Sequence, residues 1–374
     1  MIKSGKTAAG SQRWKCRQCQ ASSTARRTDQ NKRAIFTRFL TYVCGTHSLT
    51  DIAGTQARSQ RRAWAWCWAI PTPSRTVTAE VYEEVFIDGI YLPYDWCLLI
   101  ARSPAHVIAW QWARRENSTA YQALLQDVAP PDLVATDGGA GAGKALGQIW
   151  PGTKVQRCLV HVHRNNLADL TRRPNTIPGR TLLTLSRRLL DISTRQEAAQ
   201  WMGLLVEFHT TYATYLTQRT YAVDVPQWQR RPGRTWWYTH NRDRRVYQRL
   251  STLAADGSLF AFLDFDPPRE RTTNPVESIN AGIRELVHAH RGMSEDHMIT
   301  MIDWYLYTRT ENPLTPVQIL TQWEAEECPE RHLIPKKKPK PSRHEETGIP
   351  PHYDNHTTPE EGLWARKGWA GHPQ

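Results

Sequence analysis

The sequence predicts an α/β fold: a mixed β-sheet core interrupted by a helical insertion, with a small basic region ahead of it. Three observations predict it. Short apolar and β-branched runs separated by turns fill residues 80–163. A long stretch of mostly helical period follows over 164–270. Residues 271–312 then return to two helices, the first carrying an acid, Glu277, to set beside Asp88 and Asp137 in the strand-like runs.

At 374 residues the chain is long enough for roughly two or three domains with their own cores. Hydrophobic residues at 40% against 22% charged is a globular balance. The net charge of +12 and a pI near 9.5 point to a polyanionic partner, nucleic acid first; a merely basic surface is the plainer reading. Several of the sixteen Trp stand beside Arg, which suits base stacking or, equally, an ordinary core. Seven Cys without the spacing of a secreted scaffold point to a reducing compartment. No apolar run approaches a membrane span, and the N-terminus has no signal-peptide core.

Residues 1–33 are basic and contain Cys16 and Cys19, a C-x2-C knuckle able to supply half of a tetrahedral Zn²⁺ site. An upstream Cys pair that would complete a ribbon is absent, which reads as a half zinc-ribbon, shortened or degenerate. Cys44 and His47 offer a second half downstream, although Cys44 falls in a helical apolar pattern with Phe36, Phe39, Leu40 and Val43. Residues 34–70 read as a helix-turn-helix. Ser48 caps a short helix with Asp51 three residues on, Gly54 ends it, and a second helix from near Ser59 has Arg58, Arg61 and Arg62 about its start. Pro71 and Pro73 mark a linker.

Within 80–163 the spacing predicts strands over 85–92, 96–101 and 106–112, a helix over 118–128, a strand over 133–137, a helix over 144–150 and a strand over 155–162. The order βββαβαβ is that of a ribonuclease-H-like fold. In that topology the first strand lies beside the end of the fourth, so Asp88 and Asp137 would meet at one edge. In 164–270, Trp201, Leu204, Leu205, Phe208, Tyr212, Tyr215 and Leu216 keep helical spacing and read as core. Trp236 and Trp237, among Arg242, Arg244 and Arg245, would either contact DNA or lock a turn. Helices are expected over 275–290 and 295–310. Residues 313–374 read as a basic, mostly disordered tail, with a Lys/Pro run from Lys336.

A carboxylate inside an apolar run is expensive to bury without compensation. Asp88 stands among Phe86, Ile87 and Ile90, Asp137 ends another such run, and Glu277 opens a helix. Such acids suit a pair of divalent cations, Mg²⁺ or Mn²⁺, two per site, which activate a water or a 3′-hydroxyl and stabilise the leaving oxygen of a phosphodiester. Plainer readings exist. Asp137-Gly138-Gly139 is ordinary turn chemistry, and Asn274 with Glu277 would form a capping box, with Pro275 at the first helical position. Gly138, Gly143 and Lys144 have the spacing of a phosphate-binding loop, but Ala145 stands where a hydroxyl is needed. Cys158 and His161, with His163 beyond, have metal-ligand spacing. On a strand they would face opposite ways, so a site would need a strand end or a bend; support of the active site from behind is the other reading.

Together these residues resemble a bacterial insertion-sequence transposase of the Mutator-like DDE superfamily, over Gly5 to about Pro313. The most specific stretch runs from Thr272 to Asn280 (Thr-Thr-Asn-Pro-Val-Glu-Ser-Ile-Asn), with Arg284, Arg291 and Gly292 downstream. Next come Phe86-Ile87-Asp88-Gly89, Thr136-Asp137-Gly138-Gly139 and Arg157-Cys158-Leu159-Val160-His161. The resemblance implies a ribonuclease-H-like core with a helical insertion before the last acid, and Asp88, Asp137 and Glu277 as the DDE triad and Mg²⁺ ligands. Cys158 and His161 would be supporting residues of the family's C-x2-H motif, with Asn280 one turn after Glu277. It also implies double-stranded DNA as partner, at element ends and target, a homodimer on DNA, and a bacterial cytoplasmic, nucleoid-associated setting. Two rivals stand beside it: a DNA-binding relic or repressor that does not cut, and a nuclease of the same fold that cuts without joining.

Overall fold

The computed structural model describes residues 1–8, 10–24, 28–74 and 80–326, without the side chains of 28–31. These residues all belong to one unit, Met1–Arg331. The Lys336 run and the rest of 327–374 lie outside the described residues.

The chain opens with a small antiparallel sheet, β1 (Ile2–Lys6), β2 (Gln12–Lys15) and β3 (Ser22–Thr24). Cys16 and Cys19 sit in the turn between β2 and β3, where the Cys16 N–H donates to the Ala21 carbonyl at 2.8 Å. Helix α1 (Thr28–Val43) buries Phe36, Phe39, Leu40 and Val43 and carries Cys44 toward Thr308, whose hydroxyl donates to its Sγ at 3.8 Å. Among the described residues Cys16, Cys19, Cys44 and His47 form no close group of metal-ligand atoms. The apolar face of α1 decides where Cys44 goes. Two short helices follow about Gly54, α2 (Leu49–Ala53) and α3 (Ala57–Trp64), and the Ser48–Asp51 capping box is formed. Arg58, Arg61 and Arg62 are exposed on α3. Trp64, by contrast, is 2% exposed and stacks on Tyr42, while Phe39 meets Trp68 edge-on, so these Trp rings are core.

The central sheet has five strands: β4 (Glu84–Leu92), β5 (Trp96–Arg102), β6 (Val107–Ala113), β7 (Leu133–Thr136) and β8 (Lys154–Arg157). Their order is β6-β5-β4-β7-β8. The first three pair antiparallel, and β7 and β8 add in parallel. Val85, Ile87, Leu99 and Val134 face one side, under α4 (Ser118–Leu125) and α5 (Ala140–Ile149), packing with Tyr121, Leu124 and Ala145. Side chains alternate along a strand, so Phe86, Asp88 and Ile90 face the other side. There α10 (Asn274–Ala289) and α11 (Glu295–Tyr307) lie against β4–β6.

Two local expectations are corrected here. Residues 140–149 are helical from just after Gly139 and Lys144 is exposed in mid-helix, so no phosphate-binding loop spans 138–144. The strand expected over 155–162 ends at Arg157. The chain turns at Cys158, and α6 (Leu159–Leu170) begins at once.

The insertion packs α6, α7 (Ile177–Arg188), α8 (Arg195–Thr217) and α9 (Asn241–Ala255) around a core of Leu182, Trp201, Phe208, Val246 and Leu250. It is not wholly helical: β9 (Arg219–Tyr221) and β10 (Trp236–Tyr238) form an antiparallel ribbon. Its far end returns to the sheet, since the Arg157 N–H donates to the Ser258 carbonyl at 2.8 Å and the Leu159 N–H to the Arg271 carbonyl at 3.1 Å. Beyond α11, residues expected to begin the disordered tail instead form α12 (Pro316–Ala325), capped by Thr315 and packed on α1.

Candidate active site

The parallel register pairs Ile87 of β4 with Thr136 of β7. Asp88 and Asp137 are the next residue of each strand, so the sheet brings both acids to one edge. Asp88 is half-buried. Burial first, then the Asp137 charge, push its carboxyl up to about 7, and Glu116 adds to the same effect. Asp137 is fixed by its surroundings. Its Oδ1 accepts from the Gly139 N–H at 2.9 Å, and the Arg157 guanidinium donates to its backbone carbonyl at 2.8 Å. Gly138 makes this possible. Its φ is +89°, and an added Cβ would fall 1.6 Å from the Arg157 Cζ.

Helix α10 supplies the third side. The fully buried Asn280 (1% exposed) donates its Nδ2 to Asp88 Oδ2 at 2.7 Å. Glu277, one turn earlier, accepts from the Thr273 hydroxyl at 2.9 Å and lies 3.7 Å from both His161 Nδ1 and Arg164 Nη1. The capping-box reading is thereby corrected. The residue ahead of α10 is Thr273, whose side chain makes no cap bond, and Glu277 turns toward Thr273 and His161.

Cys158 and His161 meet Glu277 because the strand ends where it does. With Cys158 at the turn and His161 in the first turn of α6, one ligand atom from each of Cys158, His161 and Glu277 lies within 4.8 Å of the others. Burial opposes ionising Cys158, but hydrogen bonds from His161 and from the Thr273 N–H (3.3 Å) outweigh it and hold the thiol below its usual value. The His161 imidazole is raised in turn, mainly by its bond to Cys158. Glu277 therefore sits in a hydrogen-bonded knot with Cys158, His161 and Thr273.

One acid in the site was not singled out by the sequence. Glu116, between β6 and α4, accepts from the Tyr121 hydroxyl at 2.6 Å. Burial raises its carboxyl, with Tyr121 opposing and Asp137 reinforcing the shift. Nothing local marks it: Arg115-Glu116-Asn117 reads as a polar loop ahead of an Asn cap.

The expected DNA-contact residues fall in two places. Arg58, Arg61 and Arg62 form an exposed basic cluster on α3. In the insertion, Trp236 and Trp237 are half-buried on β10, under Arg219 (4.1 Å) and Arg231 (5.1 Å). Arg244 stacks on Tyr238 and bonds the Leu216 carbonyl, and Arg245 pairs with Asp169 at 2.8 Å. Those two hold the insertion together, while Arg242 is exposed.

A sequence profile described as "Transposase, Mutator family" matches residues 104–223, the segment holding Glu116, Asp137, Cys158 and His161. The match takes in about a third of the chain, and over that segment the chain is similar to the Mutator family of transposases. Among similar proteins, the transposase for insertion sequence element IS905 of Lactococcus lactis is 32% identical over 107 residues, covering 24% of this chain and 27% of that protein. The transposase for insertion sequence element IS6120 of Mycolicibacterium smegmatis is 31% identical over 112 residues, covering 26% and 35%. The chain thus spans about a third or less of the length of each of these relatives. No helix among its described residues is long and apolar enough to cross a membrane.

Proposed function

We propose that this chain is a transposase that binds the terminal inverted repeats of its insertion sequence and catalyses metal-dependent DNA strand cleavage and strand transfer. A ribonuclease-H-like core, with Asp88, Asp137 and Glu277 as its acids, would carry the chemistry. The observation that supports it most is the meeting of Asp88 and Asp137 on adjacent parallel strands, with the helix of Glu277 bonded to Asp88 through Asn280.

The donor set fits a hard divalent cation. Asp88 and Asp137 are oxygen donors, and the Asp137 charge helps to raise the Asp88 carboxyl. The buried Asn280 Oδ1 has no hydrogen-bond partner among the described residues. Mg²⁺ or Mn²⁺ held by Asp88, Asp137 and Glu277 would supply Lewis acidity at the scissile phosphate and a more acidic water or 3′-hydroxyl. Asn280 holds Asp88 in place. Thr273 and His161 orient Glu277, and Cys158 fixes His161. Arg58, Arg61 and Arg62 of a helix-turn-helix, with Arg242, would neutralise DNA phosphates. Two element ends need joining, so a homodimer on DNA is the working assembly.

The test is a labelled duplex carrying the element's own end, incubated with the protein and Mg²⁺ or Mn²⁺, beside Asp88→Asn and Glu277→Gln. Boundary nicking and joining abolished by both substitutions supports the proposal. Binding without cutting would sink it in favour of a silent DNA-binding relic, and cutting without joining in favour of a nuclease.

A further inference from the structure

We propose that Glu116 is a further carboxylate of the cation site, acting with Asp88 and Asp137 from the opposite side of β4 to Glu277. The inference deepens the proposed metal-dependent reading and rests on it.

Its first support is the shape of the space. The Glu116 carboxylate reaches the site across two glycines. A Cβ on Gly89, the residue after Asp88, would lie 3.1 Å from both Cδ and Oε2 of Glu116. A Cβ on Gly139 would lie 3.4 Å from Glu116 Oε1 and 3.6 Å from Asp137 Oδ1. One point therefore lies within 3.6 Å of an oxygen of Glu116 and an oxygen of Asp137, and glycine leaves it open. β4 has left its pairing with β7 after Ile87, so no strand closes the edge there.

The second support is how Glu116 is held. Its Oε1 takes the hydroxyl of Tyr121, a ring with no exposed surface on α4, at 2.6 Å. A solvated loop acid has no need of a buried orienting partner. A carboxylate kept at a fixed place beside two others does. The third is independent of the acids. Asn280, nine-tenths buried and more, bonds Asp88 with one end of its amide and leaves Oδ1 unpartnered among the described residues. Asn280 Oδ1 adds an oxygen beside Asp88, and the three acids would supply the rest of an all-oxygen set that cation binding draws together. Among the described residues no Lys or Arg forms an ion pair with Asp88 or Glu116, and a divalent ion answers both needs.

The role differs from that of Glu277. Glu277 is bound up with Cys158, His161 and Thr273, whereas Glu116 faces Asp137 across Gly139. Glu116 would hold a cation on the Asp137 side of the site when DNA is absent.

The experiment is Mn²⁺ binding to the full metal-stripped chain without DNA, followed by the electron paramagnetic resonance signal of free Mn²⁺. The variants are Glu116→Gln, Glu116→Asp, Tyr121→Phe and Asp137→Asn, with circular dichroism and unfolding midpoints alongside. We expect Glu116→Gln to weaken Mn²⁺ roughly ten-fold or more with the fold intact, and Tyr121→Phe to weaken it less. Should Glu116→Gln fail to fold, Glu116→Asp and Tyr121→Phe carry the test, each expected to weaken binding. Unchanged Mn²⁺ affinity in folded Glu116 and Tyr121 variants, with loss in Asp137→Asn, overturns the role of Glu116 and leaves the metal-dependent reading standing. No Mn²⁺ binding by the unmodified protein overturns both.

Discussion

Asn280 donates to Asp88 at 2.7 Å, so the helix that carries Glu277 is bonded directly to the first acid of the sheet. The two acids come from segments far apart in the chain, and this one side-chain amide sets their separation. Asn280→Ala removes the donor and leaves a half-buried carboxylate without it. We expect a loss of about 1–3 kcal/mol in stability and a fall in strand cleavage larger than the stability loss explains. Chemical denaturation and the cleavage assay, run on one preparation, separate the two effects.

Gly138 offers a second test. Its positive φ and the Arg157 guanidinium across its face leave no room for a methyl group. Gly138→Ala should cost about 1–3 kcal/mol from backbone strain alone, with more from displacing Arg157. A midpoint of unfolding equal to that of the unmodified protein would contradict this.

The pH dependence has a definite sign. The folded Asp88 carboxyl is raised to about 7, above its unfolded value of 3.8. Its contribution to stability is full below that unfolded value and is lost as pH rises toward 7. Glu84, buried at the start of β4 and also raised to about 7, acts over nearly the same window. Metal-free protein should therefore lose stability between about pH 4 and 7, less so as Asp88→Asn or Glu84→Gln. Added Mn²⁺ should stabilise the unmodified protein increasingly with pH across that window and do little for Asp88→Asn. Thermal melts at several pH values give both results.

On α3, the triple change of Arg58, Arg61 and Arg62 to Ala removes exposed charge and leaves the core untouched. DNA affinity should fall at low salt, and the slope of log affinity against log salt should shrink by roughly one for each phosphate no longer neutralised. Arg245→Ala, which breaks a partly exposed pair with Asp169, should instead lower stability slightly and leave that slope nearly unchanged.

Trp201 tests the insertion core. It is 2% exposed, and its indole N–H donates to the Leu185 carbonyl at 2.9 Å. Trp201→Ala should cost about 3–5 kcal/mol, read as a lowered unfolding midpoint.

Much of the sheet and one edge of the site could be read from the chain. Asp88 and Asp137 stood out because an ionisable group in an apolar run has no cheap alternative. The end of β8 could not be read. Val155–Val162 holds three valines and a leucine, enough to read as a strand, and α6 starts without a side-chain cap to announce it. That one boundary hid the meeting of Cys158, His161 and Glu277. Glu116 was hidden for a different reason: its role depends on what lies across two glycines, which no local pattern records. The β9–β10 ribbon was missed because each strand is three residues long and their pairing is not local.

The Thr273 N–H bonded to the Cys158 sulfur has a wider consequence. The chain leaves the sheet at Cys158 and comes back at Thr273, so the two ends of the insertion are pinned together at the site. Loop closure grows only slowly with length, by about 0.6 kcal/mol for each doubling. The helices α7 to α9 beyond that closure can thus lengthen, shorten or be exchanged while the carboxylates stay where the sheet and α10 hold them. The carboxylates and these outer helices are separable parts of this chain, free to diverge at different rates.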